Sequence, residues 1–225
     1  QKAVIRYVST NGNRVLTTDE VTGKSGEAIA YSTTSQITEF KKQGYNLVSD
    51  EFTSGGAKVY DYDTARDQVY TVTLSERVEP VNPDNPTPQP NTPVNPGQPD
   101  SPRWPGTVEN LDNKESVSRT IHYVYEDGSK AKDDVVETLN FKRWSNVNLV
   151  TGHIDFQDWT TNDDTFDKVV SPTIAGYTAD KSEIPAVSGV QAKDQDRVET
   201  VTYRKDAQKA VIRYVSTNGN RVLTT

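Results

Sequence analysis

His122 and His153 are the only imidazoles in a chain of 225 residues that contains no Cys and no Met. A nucleophilic triad needs a base within hydrogen-bond reach of a hydroxyl or thiol. Thiols are excluded outright. His122 alternates with Ile121 and Tyr123, so it belongs to the opposite face of a strand and reads as an exposed strand histidine. The paired carboxylates Asp133-Asp134 and Asp163-Asp164 offer glycosidase chemistry in principle, yet such pairs are ordinary surface in a chain of net charge −7. Gly55-Gly56 lacks the spacing and the lysine of a phosphate loop. The expectation is a protein that is not an enzyme.

Hard cations prefer clustered carboxylates. Asp61, Asp63 and Asp67 are the candidate Ca²⁺ ligands, with Asp155, Asp158, Asp163 and Asp164 as a second group, but neither has EF-hand spacing. No cofactor is expected and no metal is required; a structural Ca²⁺ at Asp61, Asp63 and Asp67 is the candidate exception. Sugars stack on aromatic faces while Asp, Asn and Arg read their hydroxyls. Trp144, Trp159 and Tyr125, with Phe156 nearby, concentrate aromatics in the second half and are the candidate glycan-binding residues. The same residues read equally as packing residues of a β core.

A pI near 4.9 leaves no basic face to replace counterions on phosphate, so nucleic acid is excluded as a partner. No apolar run approaches the roughly 20 residues of a membrane helix, and no membrane contact is expected. Absence of Cys and Met suits an oxidising exterior.

The elements that must position these residues are organised around an echo. Gln1 to Thr18, QKAVIRYVSTNGNRVLTT, returns unchanged as Gln208 to Thr225. One repeat therefore runs from 1 to 207, and 207–225 reads as the start of the next. Hydrophobic content is only 32%, but 11 Tyr and many Val and Thr suit half-buried strands. Ala3 to Val8 alternates and ends at Asn11-Gly12, a hairpin signal that predicts a type I′ turn with Arg14 to Val21 returning. Ile37 and Phe40, three apart and stopped by Gly44, predict a helix over 33–43. Strands are predicted at Tyr45 to Val48, Ala57 to Tyr62 and Gln68 to Ser75. This is the element order of a β-grasp, or ubiquitin-like, α+β domain.

Ten of the twelve prolines fall between Pro80 and Pro105, which predicts a semi-rigid polyproline II spacer with Trp104 packed on a neighbouring domain. After it the first pattern recurs. Ile5-x-Tyr7-Val8-x-x-x-Gly12 matches Ile121-x-Tyr123-Val124-x-x-x-Gly128, Gly44-Tyr45 matches Gly176-Tyr177, and Val69-x-Thr-Val-Thr73 matches Val198-x-Thr-Val-Thr202. The second copy carries an insertion, assigned to a hairpin of Val147 to Val150 and His153 to Trp159, with at most a helical turn over Thr165 to Val170. The expected architecture is α+β and β-rich: a first β-grasp domain over 1–78, a Pro-rich linker over 79–115, a second β-grasp domain with the inserted hairpin over 116–206, and an elongated arrangement of the two.

The stretches IHYVYEDGSK, SPTIAGYTADKSEIPAV and VTYRKDAQKAVIRYV resemble the mucus-binding (Mub, MucBP) repeats of lactobacillar surface proteins. The resemblance implies an extracellular, cell-wall-anchored adhesin built of tandem two-domain repeats. Its implied partners are mucin glycoproteins, immunoglobulins in some members, and neighbouring repeats of the same chain. A mucin-glycan module, an immunoglobulin-binding module and a non-binding stalk spacer are the three functions that follow.

Overall fold

The computed structural model describes residues 1–218 and 222–224. In chain order the elements are β1 (Lys2–Ser9), β2 (Val15–Thr22), α1 (Thr34–Lys42), β3 (Tyr45–Asp50), β4 (Gln68–Glu76), β5 (Val78–Val81), a 3₁₀ turn (Gly106–Asn110), β6 (Lys114–Tyr125), β7 (Lys130–Lys142), β8 (Ser145–Asn148) and β9 (Ile154–Phe156). They continue with β10 (Val169–Val170), β11 (Tyr177–Ala179), β12 (Glu183–Ile184), β13 (Arg197–Lys205), β14 (Tyr214–Val215) and β15 (Val222–Thr224). The chain divides into two units: residues 1–114 with 142–160, and residues 115–141 with 161–225.

In unit 1 the sheet order is β2-β1-β4-β3, with β1 and β4 parallel and both outer pairs antiparallel. Period-2 alternation sends Ala3, Ile5 and Tyr7 of β1, and Val72 and Leu74 of β4, to one face, where all are fully buried. Ile37 and Phe40 of α1 cover that face, and the Phe40 ring lies 5.6 Å from those of both Tyr7 and Tyr45. The Tyr7 hydroxyl, buried at the edge of this core, shares a 2.9 Å hydrogen bond with Tyr31, whose hydroxyl donates in turn to Asp19. Burial, and then that carboxylate, raise the Tyr31 phenol well above its ordinary pKa.

Two local readings change. The positive-φ residues of the first hairpin are Gly12 and Asn13, one position later than Asn11-Gly12, because a bulge between Tyr7 and Val8 shifts the returning strand. Ala57 to Tyr62 forms only an isolated bridge, Ala28 to Val59, and leaves Tyr62 exposed.

The Pro-rich stretch is not a free polyproline spacer. β5 pairs with β8, and β8 with β9, in a three-stranded sheet. Further on, Pro93 bridges Arg103, with Val94 N donating to Pro102 O and Trp104 N to Thr92 O, so the chain folds back on itself. Val81, Val108, Val147 and Leu149 form a second small core of unit 1, and Val94, Trp104, Leu111 and Ile154 pack against it. The physical reason is burial. Proline forbids only the amide hydrogen bond, and this segment carries enough apolar side chains to order itself once the inserted hairpin supplies a paired strand. Gly44, at φ +95°, leaves room for Leu149, which a Cβ there would meet at 2.8 Å. The inserted hairpin thus belongs with unit 1, in a sheet of its own with β5, and the compact units do not follow the 79–115 and 116–206 boundaries.

Unit 2 has the order β11-β13-β6-β7 with β13 and β6 parallel. Its registers reproduce those of unit 1: Ile5 faces Tyr70 as Ile121 faces Glu199, and Tyr45 faces Glu76 as Tyr177 faces Lys205. The core is Ile121, Tyr123, Ile184, Val201 and Tyr203. Unit 2 has no helix before Gly176 among its described residues, and the stretch expected to turn over Thr165 to Val170 includes β10, paired with β12.

The echo is informative. Tyr214 pairs with Thr224 and Val215 with Val222, which is the register, bulge included, of Tyr7 with Thr17 and Val8 with Val15. Yet the first strand of the copy is two residues long instead of eight, and Ile212 and Tyr214 are exposed where Ile5 and Tyr7 are buried. Register is a local property of these 18 residues. Strand length comes from the parallel partner, β4, and a lone hairpin is marginal in water. Residues 219–221 and 225 of the 207–225 segment lie outside the described residues.

Candidate functional site

The catalytic and metal candidates disperse. His122 Nδ1 and His153 Nε2 each lie 2.9 Å from one carboxylate, Asp134 and Asp155, and no hydroxyl bonds either ring among the described residues. Lys130 holds Asp133 below the usual carboxylate range, the reverse of what a general acid needs. Asp61 and Asp63 accept amides of their own turn, from Asp63 and Ala65, while Asp67 pairs with Lys2. No group of three metal-ligating side chains converges among the described residues, so Asp61, Asp63 and Asp67 are not assembled as a Ca²⁺ site. The second acidic group is divided between the units at Thr160.

The aromatic candidates divide too. Tyr125 lies in unit 2, against Tyr177 at 4.7 Å between ring centroids, whereas Trp144, Phe156 and Trp159 lie in unit 1. There Phe156 and Trp159 stack on Arg143, and Trp144 is its neighbour in the chain. Its guanidinium sits 3.9 Å from the Phe156 ring centroid and 4.2 Å from that of Trp159. Nε donates to Asp112 O at 2.7 Å and Nη2 to Asp112 Oδ2 at 3.0 Å, which locks the stack in place. Lys142 N to Thr160 O and Thr160 N to Lys142 O close the base of the inserted hairpin, and Gln157 N donates to Trp144 O. Trp144 is 42% exposed and Phe156 39%, so two aromatic surfaces face solvent on a cross-braced hairpin. Trp159 is half-buried. It is therefore a supporting ring more than an open platform.

Asp112 also lines a hollow of about 180 Å³. Asn82, Asn85, Thr87 and Asn113 line it with amides and a hydroxyl, and Val81 and Leu111 supply apolar wall. Such a mixture suits a sugar ring, with polar edges and an apolar face. Asn113 donates to the buried Ser145 hydroxyl at 3.1 Å, and its Oδ1 is buried without a partner among the described residues. Lys142 holds both oxygens of Asp84 at 2.9 Å and pins the adjoining turn. Nothing in the sequence pattern marked Asn82, Asn85 or Thr87, which sit in the Pro-rich stretch. The one available signal was the density of amide side chains among those prolines.

Residues 1–76 match the model of a mucin binding domain, and residues 108–207 match that of a Muc B2-like domain. The chain belongs to the mucus-binding repeat family. Among solved structures, this mucus-binding repeat resembles the type 2 repeat of the mucus binding protein MUB from Lactobacillus reuteri, at 27% identity and TM-score 0.58, over 92% of this chain and 100% of that one. It also resembles the crystal structure of Mub-RV, at 26% identity and TM-score 0.72, over the same shares of the two chains. No curated protein matches. The hollow's Asn82, Asn85 and Thr87 fall between the two matched regions of the repeat, and the Arg143 stack falls within the second.

Proposed function

We propose that this mucus-binding repeat binds mucin glycans on unit 1, with one sugar stacked on the exposed rings of Trp144 and Phe156 and another in the hollow edged by Asn82, Asn85 and Asn113. The observation that carries the reading is the Arg143 stack. An exposed Phe156 is braced by a guanidinium that Trp159 and Asp112 also hold, so little freedom of that side chain remains to be lost on binding. Tyr125, set in unit 2, drops out of this site. Membership of a family named for mucin binding supports the ligand class.

The same reading makes each unit a β-grasp domain, on the strength of the parallel central strands and the shared registers. It makes the chain part of a cell-surface adhesin, anchored to the wall through a region beyond residue 225. Each site is shallow and open, which fits a dissociation constant of about 0.1 to 1 mM, with retention gained by repetition. The test is retention on immobilised mucin by one repeat and by four in tandem. Retention that rises far faster than copy number, and that free mucin glycans abolish, supports the proposal. A stalk spacer shows no retention at any copy number, and immunoglobulin capture at a sheet edge is indifferent to free glycan.

A further inference from the structure

We propose that both units are force-bearing, each through a parallel pair of interior strands that tension along the chain loads in shear. In unit 1 the pair is β1 and β4, in register over seven consecutive positions from Ala3↔Gln68 to Ser9↔Leu74. In unit 2 it is β6 and β13, again over seven, from Arg119↔Arg197 to Tyr125↔Tyr203. Parallel strands place the start of the first and the end of the second at opposite ends of the pair. Tension entering at Lys2 and leaving after Glu76 therefore slides one strand along the other and strains the evenly spaced ladder bonds together. An antiparallel hairpin pulled at its open end gives up its bonds one at a time.

Three further observations fit a loaded pair. Both pairs are interior in their sheets, in the orders β2-β1-β4-β3 and β11-β13-β6-β7, so each loaded strand is held on both sides. Their inward side chains are sealed: Ile5, Tyr7, Val72, Ile121 and Val201 are 0% exposed, which keeps water from competing for the ladder. The entry end of the second pair carries a brace as well. Arg119, 1% exposed, donates to Glu137 of β7 at 2.7 Å, to Pro185 O at 3.0 Å and to Asp167 O. Chain lies on both sides of this pair, residues 77–113 before β6 and 206–218 after β13, so unit 2 meets tension at the ends that produce shear. Forced unfolding is governed by the barrier, and a barrier that requires many bonds to fail together is high.

The absence of Cys makes two introduced cysteines unique handles for single-molecule pulling on the whole chain. For unit 1, Gln1→Cys with Ser75→Cys pulls in shear, and Gln1→Cys with Asp67→Cys pulls the same two strands apart from one end. For unit 2 the corresponding pairs are Ser116→Cys with Lys205→Cys, and Ser116→Cys with Gln195→Cys. Circular dichroism matched to the parent confirms that each double variant is folded. At one loading rate the shear handles are expected to give a several-fold higher rupture force than the peeling handles in both units. Equal rupture forces in the two directions would overturn the proposal, whatever the chain binds.

Discussion

Replacing Arg119 by Ala is expected to destabilise unit 2 by about 3–5 kcal/mol, the range for breaking a buried ion pair. The side chain is 1% exposed and its guanidinium ties three segments: the Glu137 carboxylate on β7, the carbonyls of Asp167 and Pro185, and the Phe166 ring 5.1 Å away. Truncation leaves a carboxylate and two carbonyls facing a void. Lys at this position restores the charge but not the planar fork that reaches three acceptors, so Arg119→Lys rescues only part of the loss. The readout separates the units. Trp104, Trp144 and Trp159 all lie in unit 1, so indole fluorescence reports that unit, while far-ultraviolet circular dichroism reports both. The dichroism midpoint is expected to fall by more than about 10 °C, with the fluorescence midpoint moving less. A loss under about 1 kcal/mol would mean that water replaces the guanidinium at no cost.

The second large effect is on binding alone. A four-repeat array in which every copy carries Trp144→Ala and Phe156→Ala is expected to lose mucin retention by at least tenfold per site, about 1.4 kcal/mol. Stability should change by no more than about 0.5 kcal/mol for each substitution, because both rings are substantially exposed and neither fills a core. Trp159→Ala serves as the contrast. Its ring is half-buried against Arg143, so it lowers stability and binding together. Retention that survives the double substitution would move the site off the inserted hairpin.

The parts of this fold that were legible share a physical origin, in that they depend on near neighbours in the chain. Ile37 and Phe40 with Gly44 marked α1 to within a residue, and the recurring Ile-x-Tyr-Val and Val-x-Thr-Val-Thr patterns fall on strands whose registers coincide in the two units. The trailing copy of β1 shows the limit of local information, since it keeps the register but not the length without its parallel partner. What stayed hidden rests on contacts across long separations. Prolines at close spacing read as an extended spacer, because nothing near Val81 or Trp104 announces that Val147 and Leu149 will bury them. The same contact carries the inserted hairpin into unit 1. It parts Trp144 and Trp159 from Tyr125, and Asn82 and Asn85 come to line a hollow with Asp112. A lone Arg143 ahead of Trp144, Phe156 and Trp159 in sequence carries no periodic signal, so the stack that organises the candidate site was not foreseeable from spacing.

Isotope-labelled repeat titrated with free mucin oligosaccharides tests the central claim most directly, because the three indole N–H signals all report unit 1. The account predicts that the Trp144 indole and the amides of Asn82, Asn85 and Phe156 shift together along one binding curve, with a constant of about 0.1 to 1 mM, while the Trp104 indole stays still. Absence of any shift at those positions at about 10 mM glycan, or shifts confined to unit 2, would contradict it.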